Sequence, residues 1–173
     1  MNIQPSFINI RSYVADKFST VRINAIRDSL WAKLRSRNTK LARFPEQAPV
    51  ASPNRKLIGV QEIPVEQIVG TLGRHSDFDH LFRPLKKSLR DRWINVYLTF
   101  ESDGWSPILV HKVGDNYYVE DGHHRVSVAR SLGLAFIQAM IWEYPSHIKQ
   151  IRKCEVVECT EKSSVKGYAT IAE

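Results

Sequence analysis

Two strand-like runs, residues 108–113 and 117–120, are separated only by Gly114-Asp115-Asn116. A turn this short forces them to pair as an antiparallel hairpin. The second run passes without a break into Asp121-Gly122-His123-His124-Arg125. After it the pattern changes period, and residues 125–132 read as a short helix stopped by Gly133. The polar pentapeptide therefore sits on a strand-to-helix corner. The first N–H groups of a helix lack partners within it and carry the positive end of its dipole. Gly122 allows close approach of the backbone, and Arg125 presents a fork of donors from the first turn. Such a corner suits an anion, phosphate foremost.

The rest of the chain arranges itself around this unit. Val14, Phe18, Val21 and Ala25, then Ile26, Leu30 and Leu34, predict a helix over residues 12–37 whose apolar stripe shifts near Ala25. Pro45, Pro49 and Pro53 with small residues between them read as a linker. The expected organisation is a basic helical extension and linker over 1–50, a domain over 51–145 and a polar tail over 146–173. Within the domain, residues 57–63 read as a strand, and Pro64 fits the first position of a short helix over 65–69. Residues 70–79 read as a polar loop. Pro84 opens a helix with Leu85, Leu89, Trp93, Val96 and Phe100 on one face, ended by Ser102-Asp103-Gly104. Residues 136–142 and 155–159 read as further strands.

Hydrophobic side chains make up 43% of the 173 residues, which supports a real core and excludes a disordered chain. No apolar run approaches the ~20 residues that cross a bilayer. Residues 1–10 lack the apolar stretch of a secretory signal, and Asp16 and Asp28 argue against a transit peptide. Cys154 and Cys159 make neither a disulfide framework nor a zinc site by themselves, so free thiols in a reducing cytoplasm are expected. The formal net charge of +7 is uneven: residues 1–50 carry nine basic and three acidic side chains, leaving sixteen and fifteen for the remainder. This arm either attracts nucleic acid or an acidic partner, or is the solvated face of a helix.

Pro107-Ile108-Leu109-Val110, a short turn, Tyr118-Val119, the Asp121–Arg125 box and Ala129 together resemble the ParB/sulfiredoxin-like domain. The corresponding box is Gly-Glu-Arg-Arg in ParB proteins, Gly-Cys-His-Arg in sulfiredoxins and Asp-Gly-His-Thr-Arg in free-serine kinases, and this chain is nearest to the last. Gly73-Arg74 followed by Asp77-Phe78-Asp79 resembles the Gln-Pro-Arg-x-x-Phe-Asp segment of ParB. The resemblance covers about residues 57–143 in one consistent order. It implies an α+β fold, a small mixed sheet with flanking helices, here carrying an N-terminal helical extension.

It also implies a nucleoside tri- or diphosphate (ATP or CTP) at the corner, with Mg²⁺. Gly122, His123, His124 and Arg125 would face the phosphates, with Arg74 joining them. Asp121 would hold the metal or position an acceptor, and Asp121 and His123 would be the catalytic pair. Reactions in the superfamily differ: CTP binding and hydrolysis, phosphoryl transfer to a sulfinic acid, and phosphorylation of free serine; some members are called nucleases. His123 replaces the sulfiredoxin cysteine, which argues against sulfinic acid repair. No helix-turn-helix pattern follows Trp142, which argues against a site-specific DNA partition role. A kinase would need a further carboxylate, from Glu62, Glu66, Asp77 or Asp79.

Each residue also has a structural reading. Asp121 fits a helix N-cap, a role compatible with metal binding, and Mg²⁺ is expected because a bare carboxylate repels phosphate. Adjacent histidines suit one zinc poorly. One of the pair is expected to act as an acid or base and the other, His124, to pack inward with a hydrogen bond to backbone. Arg125 has Glu120 or Asp121 as alternative ion-pair partners, and Arg74 has Asp77 and Asp79. Arg83, Lys86, Lys87, Arg90 and Arg92 read as solvated, Trp93 and Phe100 as core, and one of Tyr117 and Tyr118 as core with the other near a ligand. The sequence thus points to a cytoplasmic nucleotide-binding protein, either a small-molecule kinase or an NTPase, compatible with homo-oligomerisation and without a membrane partner. The alternatives are a DNA- or RNA-associated module using the residue 11–43 arm, and a nucleotide-gated interaction module.

Overall fold

Alternation in residues 108–121 builds the centre of a mixed sheet. The computed structural model describes residues 7–36, 38–45 and 55–145. Its strands are β1 (Ala42–Arg43), β2 (Lys56–Pro64), β3 (Ile68–Thr71), β4 (Ile108–Val113), β5 (Asn116–Asp121) and β6 (Phe136–Tyr144), and its helices are α1 (Phe7–Leu34), α2 (Arg90–Ser102) and α3 (His123–Leu132). The six strands lie in the order β1-β3-β5-β4-β6-β2. β4 and β5 form the expected antiparallel hairpin. β6 runs parallel to β4 and antiparallel to β2, and β3 runs parallel to β5 and β1. The chain is therefore α+β. Among the described residues no helix is long and apolar enough to cross a membrane. Pro49, Pro53, Cys154, Cys159 and the expected strand over 155–159 lie outside the described residues.

One face of the sheet carries the main core. Ile108, Val110, Val119, Ile137, Ala139 and Ile141 are buried there at every second position, as a pleated strand requires. α3 is covered nearly all round, with Val126, Ser127, Val128 and Ala129 buried. Trp93 of α2 is fully buried and donates from Nε1 to Ser127 Oγ at 3.0 Å, so the largest core side chain also satisfies its polar edge. α1 packs outside α2 through Val14 and Phe18, with Phe18 edge-on to Trp93 at 5.7 Å.

The basic arm is partly consumed in this packing. Arg11 donates to Asn95 at 3.1 Å, Arg22 donates to the Leu85 carbonyl at 3.1 Å, and Lys17 lies over the Tyr97 ring at 5.3 Å. Arg83, expected in solvent, is half-buried between Asp79 and Asp28, both at 2.7 Å. Asp79 also accepts from the backbone N–H groups of Leu81 and Arg83. It thereby holds the chain through Phe82, whose φ of 56° is uncommon for a side chain with a Cβ.

Four local expectations are corrected. Residues 70–79 are not all loop, because Gly70 and Thr71 complete β3 between β1 and β5. The helix expected over 65–69 is a single 3-10 turn, Val65–Gln67. Pro84 does not open α2: it bridges back to Phe78, and the helix starts at Arg90 after a 3-10 turn, Lys87–Leu89. Phe100 is only half-buried and packs on Trp105 at 4.5 Å instead of on the main core.

Removing Asp79 would strand a half-buried guanidinium and two backbone donors. Asp79→Ala is expected to lower unfolding free energy by about 3–5 kcal/mol. Asp28→Ala, which removes only the more exposed partner of Arg83, is expected to cost at most about 1 kcal/mol. Urea denaturation of the two variants checks the ordering.

Candidate active site at the strand-to-helix corner

Gly122 sets the corner. Its φ of 101° is left-handed, and it is the N-cap of α3. A Cβ there would fall 2.8 Å from Ile108 Cβ and closer still to Cγ2. The glycine is thus required by the turn and by its packing on β4, not by approach to a ligand. With Gly122 at the cap, α3 begins at His123, two residues earlier than expected, and Asp121 remains the last residue of β5. Asp121 is accordingly no cap. It pairs with Arg125 one turn on, at 2.5 Å.

That contact changes the reading of Arg125. Its guanidinium also donates to the Ser106 carbonyl at 2.6 Å, to Ser106 Oγ at 3.0 Å and to the Pro107 carbonyl at 3.0 Å. Arg125 therefore clamps the start of β4 to the start of α3, and its donors are largely committed inside the molecule. Because Asp121 is neutralised by Arg125, the corner no longer needs a cation to tolerate phosphate. Nor do the residues make a metal cage, since no group of three His, Cys, Asp or Glu side chains gathers among the described residues. Zinc does not fit this donor set, whereas Mg²⁺, which uses one or two carboxylates together with phosphate oxygens, would have Asp121 and Glu120 in the cleft.

The two histidines differ. His123 Nε2 lies 2.6 Å from Thr71 Oγ1, which also accepts from the N–H groups of Gly73 and Arg74, each at 3.1 Å. A hydroxyl with both lone pairs in use must donate its proton. His123 Nε2 is then the acceptor, and the ring is neutral with its proton on Nδ1. Burial, with Arg74 as the next influence, lowers its pKa from 6.5 to about 4. His124, the residue expected to bond inward, is the one without partners among the described residues: it is 6% exposed and neither ring nitrogen is hydrogen-bonded there. Burial, then the charges of Arg92 and Arg74, lowers its pKa to about 4 as well.

These residues line a cleft of about 210 Å³ together with Arg74, Arg92 and Glu120. Arg74 is half exposed and pairs loosely with Asp77 at 3.6 Å, while Asp77 is held more closely by Lys86 at 2.6 Å. Arg92 is exposed, as expected, but it lines the cleft from the first turn of α2 and has no hydrogen bond or ion pair among the described residues. Its signal was its place one residue before the fully buried Trp93. Glu62, Glu66, Asp77 and Asp79 do not line the cleft, whereas Glu120 does. Tyr117 is buried, and Tyr118 packs on Phe44 at 5.5 Å on the opposite face of the sheet.

The family model of the ParB N-terminal domain matches residues 51–158. The chain belongs to this family. Among solved structures it is similar to sulfiredoxin from Arabidopsis thaliana, with 24% identity over 54% of this chain and 93% of that one and a TM-score of 0.39. It is also similar to the C-terminally truncated chromosome-partitioning protein ParB from Caulobacter crescentus complexed with CTP-γ-S. That match has 20% identity over 57% of this chain and 53% of that one, with a TM-score of 0.37. No curated protein matches the chain.

Both imidazoles make the protein acid-sensitive. Above pH 6.5 neither the folded nor the unfolded chain protonates them; between 6.5 and about 4 only the unfolded chain does. Stability is therefore full above pH 6.5 and falls as pH drops through that window. His124→Phe is expected to remove about half of the fall, since one of the two groups is gone. Urea midpoints measured across the window for wild type and variant read this directly, and an unchanged slope would refute the assignment.

Proposed function

We propose that the corner cleft binds the phosphates of a nucleoside di- or triphosphate, of the ATP or CTP class. The observation that carries this reading is His124, a buried imidazole with two unpartnered nitrogens, set among arginines at a helix N-terminus. An unpaired buried polar group costs free energy, and a phosphate oxygen accepting from the one N–H of the neutral ring removes the donor's part of that cost. Arg74 and Arg92 supply the charge, the first N–H groups of α3 supply further donors, and Arg125 holds the corner in shape. Membership of the ParB N-terminal domain family supports a nucleotide as the source of the phosphate.

The same parts serve phosphoryl transfer or nucleotide hydrolysis, because such catalysis depends mainly on positioning and charge neutralisation. Asp121 and His123 then orient the site, the first through Arg125 and the second through Thr71. Magnesium would come with the phosphates of the nucleotide, with Asp121 and Glu120 as the carboxylates of the cleft that could hold it. The arm offers a weaker case for nucleic acid, since Arg11 and Arg22 are engaged in holding α1 on the domain.

Calorimetric titration with tripolyphosphate, ATP and CTP tests the proposal. Arg92→Ala and Arg74→Ala are each expected to weaken binding about tenfold or more, the loss of a charge-assisted hydrogen bond. Arg125→Ala is expected to act chiefly on stability, by about 2–3 kcal/mol. Wild-type protein that binds none of the three at low salt would overturn the proposal.

A further inference from the structure

A chain of hydrogen bonds crosses the opposite face of the sheet and ends at the cleft. The Arg55 guanidinium hydrogen-bonds Tyr144 Oη. Tyr144 Oη lies 2.9 Å from His111 Nδ1, and His111 Nε2 lies 2.6 Å from Glu120 Oε2. The direction of this chain is fixed at its far end. A carboxylate only accepts, so His111 carries a proton on Nε2 and donates it to Glu120. Arginine only donates, so the phenol accepts from Arg55 and shares the next hydrogen bond with His111 Nδ1. His111 is fully buried, and Phe44 stands edge-on to it at 5.5 Å and to Tyr144 at 5.4 Å. The relay is shielded from water over most of its length, which strengthens it.

Such a construction is more than a surface ion pair. It fixes one oxygen of Glu120 and leaves Oε1 without a hydrogen bond among the described residues, at the rim of a cleft whose other charged walls are arginines and the paired Asp121. A carboxylate there disfavours phosphate and favours a donor. We infer that Glu120, held by His111, is the specificity residue that accepts hydrogen bonds from the ribose hydroxyls of a nucleotide whose phosphates meet the arginines. The inference rests on the phosphate site proposed above. Carboxylates read ribose in this way in other nucleotide sites, where one acceptor engages a sugar hydroxyl. His111 and Tyr144 are positioning residues, because they act on the ligand only through Glu120.

The test separates the two ends of the ligand. ATP and CTP, their 2′,3′-dideoxy analogues and tripolyphosphate are titrated into wild type, Glu120→Gln, His111→Leu and His111→Gln. Wild type is expected to prefer each ribonucleotide over its dideoxy analogue by about tenfold, the worth of a hydrogen bond to a charged group. Glu120→Gln, a change of equal size on an exposed side chain, is expected to reduce that preference to about twofold while tripolyphosphate affinity is kept or improved, since only the charged acceptor is lost. His111→Leu is expected to lose the preference and His111→Gln, which can still accept from Tyr144 and donate to Glu120, to retain most of it. Equal binding of ribo- and dideoxynucleotides by wild type, or full discrimination in Glu120→Gln, overturns the ribose assignment while tripolyphosphate binding leaves the phosphate site standing. Failure of all the ligands, tripolyphosphate included, overturns both.

Discussion

One hydroxyl fixes the corner on which the site is built. Thr71 Oγ1 accepts from the backbone of Gly73 and Arg74 and donates to His123, joining the end of β3 to the first residue of α3 across 52 positions of sequence. The bond is buried at both ends, so it is strong while made and costly to lose. Three consequences follow from it. The loop carrying Arg74 is held by its backbone beside the cleft. The His123 ring is locked as a neutral tautomer whose acceptor nitrogen is already in use. The neighbouring His124 is then carried on the same first turn into the arginine-lined space, where no group among the described residues answers it. Gly122 on Ile108 and Arg125 on Ser106 and Pro107 brace the same turn from the other side.

Most of the sheet was legible because its signals are local. The tight turn at Gly114-Asp115-Asn116 and the alternation on either side specify β4 and β5, and a change of period specifies α3. β3 and β1 were not legible, because four residues and two residues are too short to show a period. They are strands only through parallel pairing with distant partners, which leaves no mark in a window of sequence. The start of α2 was misread for a related reason. Pro84 is a good first residue of a helix in isolation, but Asp79 turns the chain back so that Pro84 bridges to Phe78.

The chemistry of the corner was legible by residue type and less so by role. Arginine in the first turn beside a glycine reads as a phosphate fork, yet the left-handed Gly122 turns Arg125 back over the carbonyls of Ser106 and Pro107. Arg92 read as one of several solvated cations and is exposed; its place at the cleft was not legible, because the sequence does not show which end of α2 abuts α3. The histidine pair was expected to divide into a bonded ring and a working ring. The bonded ring is His123 and not His124, since the hydroxyl that bonds it comes from β3, the strand that sequence did not reveal.

The strand β5 brings two carboxylates to the cleft from opposite faces of one sheet, and their neighbours give them different properties. Val119 and Asp121 follow the core-facing alternation, so Asp121 meets Arg125 on the helix side. Tyr118 and Glu120 follow the other, so Glu120 meets His111 among the aromatic rings of the far face. Asp121 is paired with the Arg125 guanidinium, whereas Glu120 is bonded through one oxygen to the His111 ring. With both cleft histidines neutral, three arginines face two carboxylates. The excess of positive charge is small, and bulk attraction is screened over a Debye length. Selectivity at such a site comes from where the charges stand: cations at the helix end, one carboxylate at the rim. A ligand that is anionic throughout meets Glu120 unfavourably, and one that pairs an anionic end with a donor end satisfies both.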